Sequence, residues 1–163
     1  MAFGTGHHQT THLMASNLLK EELTETRVLD MGCGTAILAI LAAKMGAKEV
    51  VAVDNDPDAV NSALENSEKN GVSLKVKALL GDAGKIPELG KFSVVLANIN
   101  RNIVINDMSE YSASLEPGGV LLLSGFYTAD VQLVRQAGEQ AGLKFVYSEK
   151  RDDWAFIKML LEV

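Results

Sequence analysis

The residues with the clearest chemical potential lie in two short segments, Val28-Leu-Asp-Met-Gly-Cys-Gly-Thr-Ala36 and Asp54-Asn-Asp-Pro57. The first reads as a strand that breaks into a tight turn at Gly32 and Gly34 before a helix. Glycines at that point let the backbone turn sharply and come within contact distance of a flat or extended ligand, because no Cβ stands in the way. Asp54 falls twenty-two positions after Gly32, at the end of a second strand. A carboxylate at that distance from a glycine turn can accept hydrogen bonds from both hydroxyls of a ribose, so the pair points to an adenosine-containing cofactor. An ordinary tight turn between strand and helix is the competing explanation for the glycines, and the Asp54 spacing argues against it.

Which adenosine cofactor is decided by Ile37. A dinucleotide fingerprint has glycine at the sixth position of the loop, where the pyrophosphate approaches the helix end. Here that position is Ile37, whose bulk obstructs a pyrophosphate. S-adenosylmethionine carries no phosphate and needs only to pass beside the loop, so it is the expected cofactor. Asp30 precedes the turn, either holding the cofactor's ammonium through water or bracing the loop. Asp82, in Gly81-Asp-Ala83 after the third strand, is placed to read adenine with its carboxylate and a neighbouring amide; a simple turn or cap residue is the equal alternative.

The elements that must position these groups follow from periodicity. Strands are expected over Val28 to Met31, Val50 to Val53, Leu74 to Leu80, Phe92 to Ala97 and Val120 to Gly125. Helices are expected from about His8 to Glu22, Ala36 to Lys44, Asp58 to Lys69, Ile103 to Leu115 and about Ala129 to Ala141. Leu13, Leu18, Leu19 and Leu23 form the expected apolar stripe of the first helix, Asp56 or Asp58 caps the third, and Pro117-Gly118-Gly119 stops the fourth. Strand and helix alternate, which indicates an α/β fold with a parallel sheet and helices on both faces. Phe145 to Lys150 and Ala155 to Glu162 are separated by too short a turn for a crossover, so they must form an antiparallel hairpin.

The length of 163 residues, 47% hydrophobic and 22% charged, is that of a single domain with a sizeable core. A net charge of −6 argues against direct binding to nucleic acid, which requires clustered Lys and Arg. No apolar run approaches the ~20 residues of a membrane-spanning helix. One cysteine, Cys33, excludes an internal disulfide and fits a reducing cytoplasm. His7, His8 and His12 stand close together, but with so few partners a surface or helix-start role outweighs metal ligation, and no metal site is expected.

A more selective signal is Ala2-Phe-Gly-Thr-Gly-His-His-Gln-Thr-Thr11. It resembles the Phe-Gly-Thr-Gly-x-His-x-Thr-Thr signature of the ribosomal protein L-eleven (PrmA-type) methyltransferases. Gly32-Cys-Gly-Thr-Ala-Ile-Leu-Ala-Ile40, Asp54-Asn-Asp-Pro57, Ala97-Asn-Ile99 and Pro117-Gly-Gly119 resemble the later motifs of that family in the same order. The resemblance implies a Rossmann-like class I methyltransferase fold, with a seven-stranded, mostly parallel sheet ending in an antiparallel hairpin. It places cofactor contacts on Thr11, Gly32, Asp54 and Asn98, with Gly34 in the same loop. It also implies that Asn98 holds the acceptor nitrogen, since an amide oxygen can accept an N–H while leaving the nitrogen lone pair free. The implied acceptors are lysine amines and the terminal α-amine of ribosomal protein L-eleven.

A lysine must lose its proton first. No residue is an unmistakable base; desolvation or water is expected to assist, with His8 the side-chain candidate.

Two departures from the family pattern stand out. Ala36 replaces the third glycine of the loop, and Asn98-Ile-Asn-Arg-Asn-Ile103 places Arg101 among polar amides at the acceptor entrance. The separate amino-terminal domain by which that family recruits its ribosomal substrate has no counterpart in residues 1–163, and the abrupt start of the first motif leads us to expect a piece of a longer protein. The competing functions are a nucleotide-dependent oxidoreductase, which Ile37 and the terminal hairpin oppose; methylation of RNA or a small molecule; and a non-catalytic cofactor-binding module, for which loss of Asn98 would have argued.

Overall fold

The computed structural model describes residues 6–163. Five helices surround one seven-stranded sheet: α1 (Gly6–Leu18), β1 (Arg27–Met31), α2 (Ile37–Lys44), β2 (Glu49–Asp54), α3 (Pro57–Lys69), β3 (Val76–Leu80), β4 (Phe92–Asn98), α4 (Arg101–Ala113), β5 (Leu115–Tyr127), α5 (Val131–Gln140), β6 (Lys144–Arg151) and β7 (Trp154–Leu160). The strand order is β3-β2-β1-β4-β5-β7-β6. Strands β1 to β5 pair in parallel, whereas β7 runs antiparallel to both β5 and β6. The terminal hairpin is thus inserted so that its second strand joins the sheet first, and β7 alone opposes the others.

Because successive side chains on a strand point to opposite faces, a sheet covered on both sides must be apolar at every position. Val28, Val50, Ala52, Val94, Leu96, Val120 and Leu122 are buried on one face with Leu13, Met14 and Leu18 of α1, the body of α2 and Ala63 of α3. Leu29, Val51, Val53, Val95, Ala97, Leu121 and Leu123 are buried on the other face with Val104, Met108 and Tyr111 of α4 and Val134 of α5. The chain winds outward from β1 to β3, then returns to lay β4 against β1 on its other side. At that reversal the connections after β1 and β4 leave toward opposite faces, which opens a crevice at the carboxyl ends of the strands.

Several sequence-based boundaries are corrected. The first helix ends at Leu18, not Glu22; Met14 completes its buried stripe, while Leu19 lies beyond the helix and is exposed. Leu74 is fully exposed and the third strand starts only at Val76. A 3-10 segment over Ala83–Glu88, not expected from periodicity, carries Asp82 as its cap. Helix α4 stops at Ala113, four residues before Pro117, and the strand pairing of β5 already begins at Leu115, with Pro117-Gly118-Gly119 inside an irregular stretch of it. Asp56 is the residue that caps α3, accepting the amide N–H of Asp58 at 3.0 Å.

Helix α1 is fastened to the hairpin by polar contacts at positions where apolar packing runs out. The buried Asn17 donates to Glu149 at 2.8 Å and accepts from the Tyr147 hydroxyl at 2.7 Å. Lys158 pairs with Glu21 at 2.7 Å, and Gln9 reaches Asp152 in the hairpin turn at 3.3 Å. Since the turn between β6 and β7 lies at the carboxyl end of β5, the start of α1 stands at the same edge of the sheet as the crevice.

Candidate functional site

The crevice is a cleft of about 230 Å³ lined by residues from the ends of four strands, among them Gly32, Asp54, Asp82, Asn98 and Ile99. Four of the sequence-predicted site residues, Gly32, Asp54, Asp82 and Asn98, are therefore brought to one place.

The loop after β1 takes its shape from three left-handed residues at alternate positions. Gly32 has φ +66°, Gly34 +54° and Ala36 +67°. A Cβ on Gly32 would stand 2.9 Å from Cγ1 of Ile99, so this glycine is required both by its conformation and by the close passage of the β4 loop. Around Gly34 there is open space, and its requirement is conformational alone. Ala36 adopts the left-handed conformation despite its side chain, at a cost of roughly 1–2 kcal/mol relative to glycine. Its complete burial beneath α2 is the compensation. The loop is pinned by bonds from the Gly32 and Cys33 amides to the Val53 carbonyl at 2.8 and 3.1 Å, and from Asn66 to the Thr35 carbonyl at 3.0 Å. Ile37 stands exposed at the first turn of α2, on the route a pyrophosphate would take.

Asp54 ties the two cofactor segments together. One carboxylate oxygen accepts the Gly34 amide at 3.0 Å and the other accepts the Asp56 amide at 3.0 Å. Asp54 also lines the cleft, and each oxygen retains acceptor capacity beyond its one amide, which suits two adjacent hydroxyls. Asp82 caps the 3-10 turn by accepting the Gly84 amide at 2.9 Å while also lining the cleft, so both roles weighed for it from sequence coexist.

Asn98, the last residue of β4, holds its side-chain oxygen buried without a hydrogen-bond partner among the described residues. A buried acceptor left unpaired costs about 1–3 kcal/mol. Such an atom at the wall of a cleft is an acceptor awaiting a donor, and a bound amine or ligand N–H fits it.

Asp30 is fully buried, alternating with Leu29 and Met31 so that it faces α2, where it accepts the Ala39 amide; its other oxygen has no partner among the described residues. It therefore braces the loop and helix start directly. Burial raises its pKa to about 7, outweighing the lowering by the Ala39 amide, and the nearby Asp54 carboxylate adds to the rise. Since the folded protein holds this proton more tightly than the unfolded chain, its stabilising effect is complete below about pH 4 and is lost as pH rises through about 7. The ligand-free protein is accordingly expected to lose melting temperature between pH 5 and 8, and Asp30→Asn, which keeps the acceptor for Ala39, to flatten that slope. Thermal unfolding of both proteins across the interval checks this; parallel slopes would contradict it.

The remaining predicted residues are placed on α1. Thr11 is half-buried and His8 is exposed in the first turns; neither is among the residues lining the cleft, although both stand at its edge of the sheet. Residues 1–5, which begin the amino-terminal motif, lie outside the described residues. Among the described residues, no group of three His, Cys, Asp or Glu side chains is arranged to hold a metal ion, and no helix is long and apolar enough to cross a membrane.

A second cleft, of about 580 Å³, which the sequence did not reveal, adjoins the first across Asn100, which lines both. Its walls come from the start of α4, the end of β5 and the start of β7, regions up to 54 residues apart in the chain. Gly125, at φ +101°, permits this junction: a Cβ there would lie 2.5 Å from the Ile99 carbonyl oxygen.

The cleft at the strand reversal, walled by a glycine loop, the Asp54 carboxylate and the Asn98 amide, does not by itself name a family; the whole chain does. The family model for ribosomal protein L11 methyltransferase (PrmA) matches residues 1–161. The chain belongs to that family. A ribosomal protein L11 methyltransferase of Bacteroides fragilis is 49% identical over 161 residues, covering 99% of this chain and 57% of the relative. The chain thus spans a little over half the length of the curated relatives it matches. Among solved structures, the ribosomal protein L11 methylase of Lactobacillus delbrueckii subsp. bulgaricus superposes with a TM-score of 0.90 at 26% identity, over 97% of this chain and 81% of that one. An RNA methyltransferase of Salinibacter ruber, solved with S-adenosyl-L-homocysteine, shares the fold at a TM-score of 0.75 and 17% identity, over 93% and 91%. The expected Rossmann-like methyltransferase fold is thereby established.

Proposed function

We propose that this chain is the catalytic unit of a cytoplasmic protein methyltransferase that uses S-adenosylmethionine to methylate lysine side-chain amines and the terminal α-amine of ribosomal protein L11. Family membership supports the substrate, and the observation that carries the chemistry is the unpaired Asn98 oxygen at the wall of a cleft already furnished with Asp54 and the glycine loop.

The residues present suit the cofactor. Gly32 and Gly34 leave room for the methionine portion, Asp54 accepts the ribose hydroxyls, and Asp82 with the neighbouring Ala83 amide suits the adenine edge. Thr11, on the helix at the rim, is assigned the cofactor carboxylate on the strength of the family resemblance. When bound, S-adenosylmethionine supplies a methyl group already activated by positively charged sulfur. What remains for the protein is positioning, which in an organised site supplies most of the acceleration. Asn98 accepts an N–H of the incoming amine and thereby aims its lone pair at the methyl carbon. Bound S-adenosylmethionine would supply the methyl group and keep the electrons of its methyl–sulfur bond, while on the protein's side Asn98 would hold the amine and the amine's proton would pass to solvent, with His8 as the side-chain alternative.

Mass spectrometry of purified ribosomal protein L11 incubated with the full-length protein and S-adenosylmethionine tests the substrate. The expected result is a mass increase in steps of one methyl group. An unchanged mass, with cofactor binding shown separately by calorimetry, would retain the cofactor and overturn the substrate.

A further inference from the structure

The second cleft is built from groups that suit a cationic alkyl chain. Tyr127 and Trp154 stack along one wall with ring centroids 4.3 Å apart and planes 27° from parallel. Asp130 stands in the same cleft, its side chain only 18% exposed, and it is occupied by Arg101, whose guanidinium approaches to 2.9 Å. Arg101 is itself 40% exposed and further held by a bond from Nε to Asn102 at 3.1 Å. The hairpin turn is tied to the end of β5 where the Asp153 backbone carbonyl accepts the Thr128 amide at 2.8 Å. Aromatic faces attract cations by their quadrupole, and a largely buried carboxylate does so by charge. The Arg101 guanidinium seated on that carboxylate shows that this wall accommodates a cation.

We propose that this cleft is the acceptor channel, that it receives the side chain of a lysine, and that Arg101 is a resident cation which the lysine displaces from Asp130. The inference rests on the functional reading above and adds to it the residues that select the acceptor. The alkyl stem lies along Tyr127 and Trp154, and Asp130 attracts the charged amine at the entrance. Asn100, which lines both clefts, stands between this one and Asn98. Placing the carboxylate at the entrance has a chemical reason: beside the reacting nitrogen it would hold the amine protonated and unable to attack.

Displacement and a merely structural ion pair make opposite forecasts. If Arg101 competes with the lysine, Arg101→Gln frees Asp130 and lowers the KM for ribosomal protein L11 about fivefold, whereas Asp130→Asn raises it about tenfold, both with kcat nearly unchanged. In the double variant the benefit of losing Arg101 disappears, because there is no carboxylate left to free. The measurement is steady-state methyl transfer by the full-length protein at saturating S-adenosylmethionine, with cofactor affinity and melting temperature recorded for each variant. A raised KM for both single variants, or none for Asp130→Asn, while the unaltered protein methylates its substrate, would overturn the channel and leave the function standing. Absence of methylation by the unaltered protein would overturn both.

Discussion

Asp54→Ala is expected to weaken S-adenosylmethionine binding by at least about 100-fold, because hydrogen bonds to a charged acceptor contribute about 1.5–3 kcal/mol each and two are lost with the ribose. The loss is compounded within the protein. Both carboxylate oxygens also hold loop amides, Gly34 and Asp56 at 3.0 Å each, so truncation releases the glycine loop from the end of β2. Asp54→Asn keeps one acceptor oxygen and is expected to lose about tenfold, in line with the difference between neutral and charge-assisted bonds. Isothermal titration calorimetry on the three proteins, with circular dichroism to confirm folding, measures the series. Undiminished affinity in Asp54→Ala would remove this carboxylate from the cofactor site. Tight binding of NAD by the unaltered protein, in place of S-adenosylmethionine, would remove the cofactor itself.

At Asn98 the expected effect falls on turnover. Asn98→Ala should lower kcat for methyl transfer by about 100-fold or more, the scale on which misplacing a reactant by about 1 Å slows a positioned reaction. The cofactor affinity should fall less than in Asp54→Ala, since Asp54 carries the charged contacts. Asn98→Asp separates positioning from charge. A carboxylate next to the acceptor favours its ammonium form, so activity should be depressed at neutral pH and recover as pH is raised, shifting the rate profile to higher pH. A profile of kcat against pH for the unaltered protein and the Asp variant reads this directly. If the two profiles coincide, the amide does not touch the reacting amine.

Gly32, Gly34 and Asp54 were legible because their function is written in short-range terms: a turn that tolerates no Cβ, and a carboxylate one strand later. The β/α alternation and the hairpin were legible for a similar reason, since periodicity and turn length are local properties. Boundaries failed where local and tertiary preferences diverge. Leu74 continues the alternation of β3 in sequence but has no neighbour to pack against, and Pro117-Gly118-Gly119 looks like a helix stop yet lies within the irregular start of a strand.

By itself, then, the sequence determined the fold class from its periodicity, the adenosine-type cofactor from residue types at set spacings and, through a resemblance of motifs along the chain, the family. Tertiary structure alone decided the rest. It gave Asp30 a pKa near 7 by burying it, brought Ile99 against Gly32 and Gly125, and left the Asn98 oxygen beside the cleft without a partner among the described residues. It also joined Arg101, Asp130, Tyr127 and Trp154 into one chamber. The physical reason is that desolvation, close approach and charge pairing depend on distances through space, and across β4, β5 and β7 those distances are set by the order in which the strands join the sheet.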